Sequence, residues 1–144
     1  MSGIDRLFSG MRIAASALTA ERARVDTIAK NIAHARTTKM PDTGEPYRRE
    51  TVRFEPEMVR NASGLMEVGG VKVAGIEQDF NSPFQEITDM SHPDADANGV
   101  VRMPNVNAVR EMADMITALR AYEANIGVTE KFERMAQRAL RLME

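Results

Sequence analysis

Apolar residues along the first third of the chain recur at steps of three and four. Ile4, Leu7, Met11, Ala14, Leu18, Val25, Ile28 and Ile32 make one heptad-like seam, with only Glu21 out of place. Such spacing predicts an amphipathic helix from Leu7 to about Ala35. Ser2 with Asp5 three residues on is a possible cap, and Gly3 and Gly10 weaken the first turns. The last third repeats the theme. Val109, Met112, Met115 or Ile116, Leu119, Tyr122, Ile126 and Thr129 form a stripe, continued by Phe132, Ala136, Leu140 and Met143 after a small phase shift. Asn105 or Asn107, just after Pro104, is the expected N-cap, Glu111 suits the early turns, and Gly127 is the one weak link. Either helix alone would expose a long apolar stripe, so the two are expected to pair antiparallel in coiled-coil fashion.

Between the helices the period changes. Tyr47–Phe54 and Val68–Ile76, the latter with a bulge expected at Gly75, read as strands, and Val100–Met103 as a short edge. Turn clusters lie at 41–44 and 61–64. The expected fold is thus α+β, mainly α, divided into an N-terminal helix (1–40), a small β-rich insert (41–104) and a C-terminal helix (105–144). Composition sharpens that division. All six prolines and six of the nine glycines fall between residues 41 and 104, where a long helix is therefore excluded. Net charge is uneven too: +4 over 1–40, −6 over 41–104 and zero over 105–144, within a 144-residue chain of net charge −2.

These counts narrow the functional classes. With no Cys the chain has no disulfide framework, thiolate metal site or cysteine nucleophile. The near-neutral charge argues against a dedicated nucleic-acid binder. The apolar run Ile13–Ala20 is too short to cross a membrane, and no secretory leader pattern is visible, so a soluble chain made in the cytoplasm is expected. His34 and His92 are the only histidines and have no partner at metal-ligand helical spacing; no nucleophile–base motif or phosphate loop is present. No enzyme activity and no cofactor are expected. Arg12, Arg22, Arg24, Lys30 and Arg36 make the first helix basic, which suits a solvated face or electrostatic register against the acidic middle of another copy. The eleven Met residues are scattered and suit gap-filling in helix packing.

One segment suggests a metal. Asp94, Asp96 and Asn98, followed by Gly99, match the opening of a calcium loop. Position twelve, however, is Asn105 where a bidentate Glu is needed, and no entering helix precedes it. A turn held by its own Asx side chains is the favoured reading, with a calcium-binding interaction module as the alternative.

The segment Ala15–Thr38 resembles the N-terminal signature of bacterial flagellar rod and hook axial proteins. Asn31-Ile-Ala-His-Ala-Arg-Thr37 is similar to their N-x-A-N-x-x-T motif and departs from it at His34. Pro46-Tyr-Arg-Arg49, Ser91–Gly99 and Arg120-Ala-Tyr-Glu-Ala-Asn125 extend the likeness, in order, toward proximal-rod members of that family. The matching positions are Arg22, Asp26, Thr37, Pro46, Tyr47, Arg48, His92, Pro93, Arg120 and Glu123. The resemblance implies a structural subunit of the basal-body rod in the periplasmic space. It further implies helical packing around an export channel, torque transmission, and type III export without a cleaved signal. Implied partners are other copies, other proximal rod proteins and the adaptor joining rod to export gate and membrane ring; nucleic acid, membrane insertion and small-molecule substrates are not implied. Leu18, Val25, Ile28, Asn31 and Ile32 are expected to pack against Leu119, Tyr122, Asn125 and Ile126. Isolated subunits should be partly disordered at both ends and order on assembly.

Overall fold

The computed structural model describes residues 3–61 and 63–141, with side chains from Phe8 onward. The expected Ser2–Asp5 cap, the seam side chains of Ile4 and Leu7, Ala62 of the second turn, and Met143 lie outside the described residues. The order is α1 (Gly3–Ala33), β1 (Glu50–Arg60), β2 (Met66–Gln78), β3 (Gln85–Thr88), β4 (Val100–Met103) and α2 (Ala108–Arg141). The fold is α+β and mainly α: two long helices with small two-stranded sheets between them.

Helix α1 ends two residues before the expected point. His34 and Ala35 donate their N–H groups to Lys30 and Ile32, and Thr37 donates to His34, so the chain winds out through tight turns. Helix α2 starts on Asn107, whose Oδ1 accepts the Arg110 N–H at 3.0 Å while its carbonyl accepts that of Glu111. Asn107 is therefore the N-cap, and Asn105 has other work.

β1 and β2 form one long hairpin. Asn61 closes its turn, its side-chain oxygen accepting from the N–H groups of Ser63 and Leu65, with Gly64 at φ 80°. β1 runs six residues beyond the expected Phe54 and passes through Pro56, which only a strand with an open edge tolerates. β2 runs on through Gly75. β3 has no sequence signal of its own: Gln85-Glu86-Ile87-Thr88 has a single large apolar residue, and all four positions are exposed. It exists by backbone pairing with β4, in antiparallel register from Gln85 opposite Met103 to Thr88 opposite Val100.

The chain divides into two compact units. The first comprises residues 1–25, 52–75 and 117–144. Its fully buried apolar residues, among those described, are small: Ala14, Ala20 and Ala118. Close approach replaces bulk here. A Cβ on Gly10 would lie 2.5 Å from the Phe132 ring, and one on Gly70 would lie 2.4 Å from Ser16 Oγ, which also accepts the Val71 N–H. The second unit comprises residues 26–51 and 76–116, and it buries Ile28, Tyr47, Val101 and Val106 together with Asn31, Asn105 and Glu111.

The stripe expected on α2 needs correction. Val109, Met112, Ile116, Leu119 and Ile126 are exposed, whereas Glu111 and Ala118 are buried and Tyr122, Asn125 and Phe132 are half-buried. The inward face is rotated by about one residue from the line of large apolar side chains. Two local facts accompany that rotation: Glu111 is bonded inward to Asn31 and Arg49, and Ala118 is wholly buried.

Candidate functional site

The second unit holds a buried polar clasp assembled from four separate parts of the chain. At its centre Asn31, near the end of α1, is 1% exposed. Its amide nitrogen donates to the Glu50 carbonyl at 2.8 Å and to Glu111 Oε2 at 3.0 Å. Its amide oxygen accepts from the Tyr47 hydroxyl and from the Glu50 N–H, both at 2.9 Å. Two donors and two acceptors are all used, so Asn31 is fully satisfied. That satisfaction locks the end of α1 to the start of β1 and the first turn of α2.

Glu111 is equally buried, and its charge is met. Arg49 Nε donates to Oε1 at 2.6 Å, and the same guanidinium lies 3.8 Å from Asp114. A buried carboxylate is tolerable only with such pairing. Asn105 anchors the other side of Arg49: its oxygen accepts the Arg49 N–H at 2.7 Å, and its nitrogen donates to the carbonyls of Asp79 and Ser82. Lys30 closes the rim with a bidentate contact to Glu50 at 2.8 and 2.9 Å.

Tyr47 is buried, donating its hydroxyl to Asn31 and its N–H to the Thr37 carbonyl. Burial pushes its phenol pKa well up, and the charges of Glu50 and Glu111 push it further. His34 stacks on its ring at 4.8 Å between centroids, and Nδ1 of that histidine shares a 3.1 Å hydrogen bond with the Thr37 hydroxyl. His34 thus combines a polar contact at the helix end with a ring face against Tyr47.

Arg48, next to the clasp, points the other way. Its guanidinium lies over Phe80 at 4.7 Å and Phe84 at 4.2 Å, and Arg102 covers Phe84 at 4.9 Å.

The Asp94–Gly99 segment is a turn whose carboxylates are already engaged. Asp96 Oδ1 accepts the N–H groups of Asn98 and Val100, both at 2.8 Å, and Asp94 accepts the Thr38 hydroxyl at 2.6 Å. Among the described residues no group of three or more His, Asp or Glu side chains is placed to hold a metal ion. The geometry is that of the Asx turn, and nothing in it supports the calcium module. No helix among the described residues is long and apolar enough to cross a membrane.

Two family descriptions match this chain: flagella basal body rod protein over residues 11–38, and flagellar basal body rod FlgEFG protein C-terminal over residues 97–142. The flagellar basal-body rod protein FlgC of Borreliella burgdorferi is 42% identical, across 96% of this chain and 98% of that relative. The chain belongs to the FlgC family of flagellar basal-body rod proteins. FlgC of Bacillus subtilis is 36% identical over 94% of this chain and 97% of its own, and that of Agrobacterium fabrum 41% over 87% and 86%. A FlgC-family chain is a structural subunit of the basal-body rod and not an enzyme.

Within this FlgC-family fold the motif positions separate by burial. Asn31, Thr37, Pro46 and Tyr47 converge on the clasp, and all but Thr37 are buried. His92 is half-buried in its loop, where Nδ1 accepts the Asp94 N–H. Arg22, Asp26, Pro93, Arg120 and Glu123 lie on the surface. Of the expected packing positions, Ile28 is buried and Leu18, Val25 and Ile32 are half-buried. Arg49, Glu111 and Asn105 complete the clasp without having been singled out for it. Arg49 is visible in the Pro46–Arg49 motif, but a glutamate between Arg110 and Met112 carries no mark of burial.

Proposed function

We propose that this rod subunit belongs to the proximal rod, where copies stack helically around an export channel and transmit torque through shared helix faces. The observation that carries the reading is the outward stripe on α2. Val109, Met112, Ile116, Leu119 and Ile126 lie outward at heptad-like spacing, while Ala118 and the paired Glu111 lie inward. An exposed apolar stripe of this kind, interrupted at Glu123, calls for coverage by another chain. The occupants proposed are other copies and the other proximal rod proteins, together with the adaptor at the export gate and membrane ring.

Antiparallel, coiled-coil-like pairing of α1 with α2 belongs to the same proposal. It is supported by Gly10 of α1 meeting Phe132 of α2 in one unit and Asn31 meeting Glu111 in the other. The three-zone division at 1–40, 41–104 and 105–144 follows, with the paired helices nearest the channel and the proline-rich insert outside them. Periplasmic placement and type III export without cleavage complete the reading. Freedom from cysteine suits a chain that travels unfolded.

The test is complementation. A flagellated bacterium deleted for its own rod subunit of this family receives this chain, and its basal bodies are purified and imaged. Density for the chain around the channel, with intact-chain mass and cross-links to proximal neighbours, is the expected result. Basal bodies that assemble full rods without the chain would refute the proposal.

A further inference from the structure

The turn before β4 ends in Asn98-Gly99, a dipeptide with intrinsic chemical reactivity. In a flexible chain the Gly99 amide nitrogen attacks Asn98 Cγ. A nitrogen–carbon bond forms, the carbon–NH2 bond breaks, and ammonia leaves with the amide proton. Water then opens the cyclic imide at either carbonyl, leaving aspartate or isoaspartate at position 98. Glycine makes the attack easy because it has no Cβ to obstruct the nitrogen.

Here the side chain is available but the nucleophile is not. Asn98 is exposed, while Gly99 is buried and held at φ 77°. The Gly99 N–H is committed to the Asp96 carbonyl at 3.0 Å, and its own carbonyl accepts the Asp89 N–H at 2.8 Å. Asp96 grips both sides of the dipeptide, through the N–H of Asn98 and that of Val100. Its N–H also donates to the Val100 carbonyl at 2.9 Å. Met90 packs against Gly99 so closely that a Cβ would lie 2.6 Å from its Cγ. Ring closure requires the Gly99 nitrogen to leave the Asp96 carbonyl and the backbone at Asn98 to rotate, which breaks this set of bonds together.

We infer that Asn98 is a deamidation site gated by the fold: its reaction proceeds through opening of the 96–100 turn and is withheld while the turn is closed. The consequence is directional. Closed chains keep the amide, whereas chains held open gain a negative charge, and isoaspartate adds a main-chain carbon within the turn that closes onto β4. Chains that have reacted should refold with a damaged β3–β4 pair.

The experiment follows intact full-length chain at neutral pH, native and in urea, by peptide mass spectrometry with isoaspartate detection. Native Asn98 should react roughly tenfold or more slowly than in the unfolded chain, as expected for a site that must open first. Equal rates in the two states would overturn the inference. Across sub-denaturing urea, the deamidation rate should track the open fraction reported by hydrogen exchange at Gly99 and Val100, and independence of the two would also overturn it. Asp96→Ala removes the grip but not the dipeptide, and should speed the native reaction while helical circular dichroism is retained. A folded variant reacting at the parent rate would overturn the assignment to Asp96.

Discussion

Arg49 Nε meets Glu111 Oε1 at 2.6 Å across 62 residues of sequence, and the carboxylate it meets is almost wholly buried. The two members of this pair are not equivalent to remove. Arg49→Ala strands a buried charge and should destabilise the fold by about 3–5 kcal/mol. Glu111→Gln keeps the shape and the Asn31 contact, and should lose about 1–3 kcal/mol. The double variant Arg49→Ala with Glu111→Gln should recover much of the Arg49→Ala loss, because no buried charge is left unpaired and the glutamine oxygen still accepts from Asn31. Urea unfolding of the four chains closes the cycle. Additive losses would mean the pair is not coupled.

Tyr47 gives a pH signature. Its phenol is held neutral by burial and by the neighbouring carboxylates, so its folded pKa lies well above the unfolded value. A group raised in the fold contributes stability that is complete below its unfolded pKa and declines as pH rises above it. The loss should therefore begin at about pH 10, the ordinary tyrosine range. Tyr47→Phe removes the hydroxyl that Asn31 accepts from, costing about 1–2 kcal/mol at neutral pH. It should also flatten the alkaline limb of the stability curve. A limb of unchanged steepness in that variant would show that another group is responsible.

Both helices and the strand-bearing middle were legible because their signals are local. A three-four period and the confinement of proline need only neighbouring residues to be read. The clasp was not legible as a unit. Asn31 and Tyr47 stood out through their motifs, but the burial of Glu111 depends on Arg49 and on Asn31, 80 residues away. Periodicity alone placed Val109, Met112 and Ile116 inside, since it ranks side chains by apolarity and cannot see that a paired carboxylate occupies the inner face. β3 escaped for a related reason: its backbone partner, not its side chains, defines it.

Gly10 and Gly127 separate two roles of helical glycine. Nothing lies within 4 Å of a Cβ built on Gly127, so Gly127→Ala should stabilise the chain by about 0.5–1 kcal/mol through helix propensity. At Gly10 the same propensity gain meets a methyl group 2.5 Å from the Phe132 ring, and overpacking typically costs about 1–3 kcal/mol. Gly10→Ala should therefore be net destabilising by about 1 kcal/mol. Combining it with Phe132→Leu should recover the propensity gain. Thermal unfolding by circular dichroism reads all three, and equal stabilisation at both glycines would show that the Phe132 contact yields freely.

The outward stripe of α2 separates folding from assembly. Ile116 and Val109 are 54% and 78% exposed in the single chain, so a lysine at either site should change its stability by no more than about 0.5 kcal/mol. Covered by a neighbouring chain, the same side chains would each contribute about 1.5–3 kcal/mol, and a buried ammonium would reverse that contribution. Ile116→Lys and Val109→Lys should therefore abolish incorporation into basal bodies while leaving the unfolding curve of the free chain unmoved. Asp42→Lys, on the exposed turn before β1, is the matched surface control and should assemble normally. Incorporation of the two stripe variants at parent levels would move the interface to another face. Loss of free-chain stability in either would mean that the stripe already has an intramolecular partner.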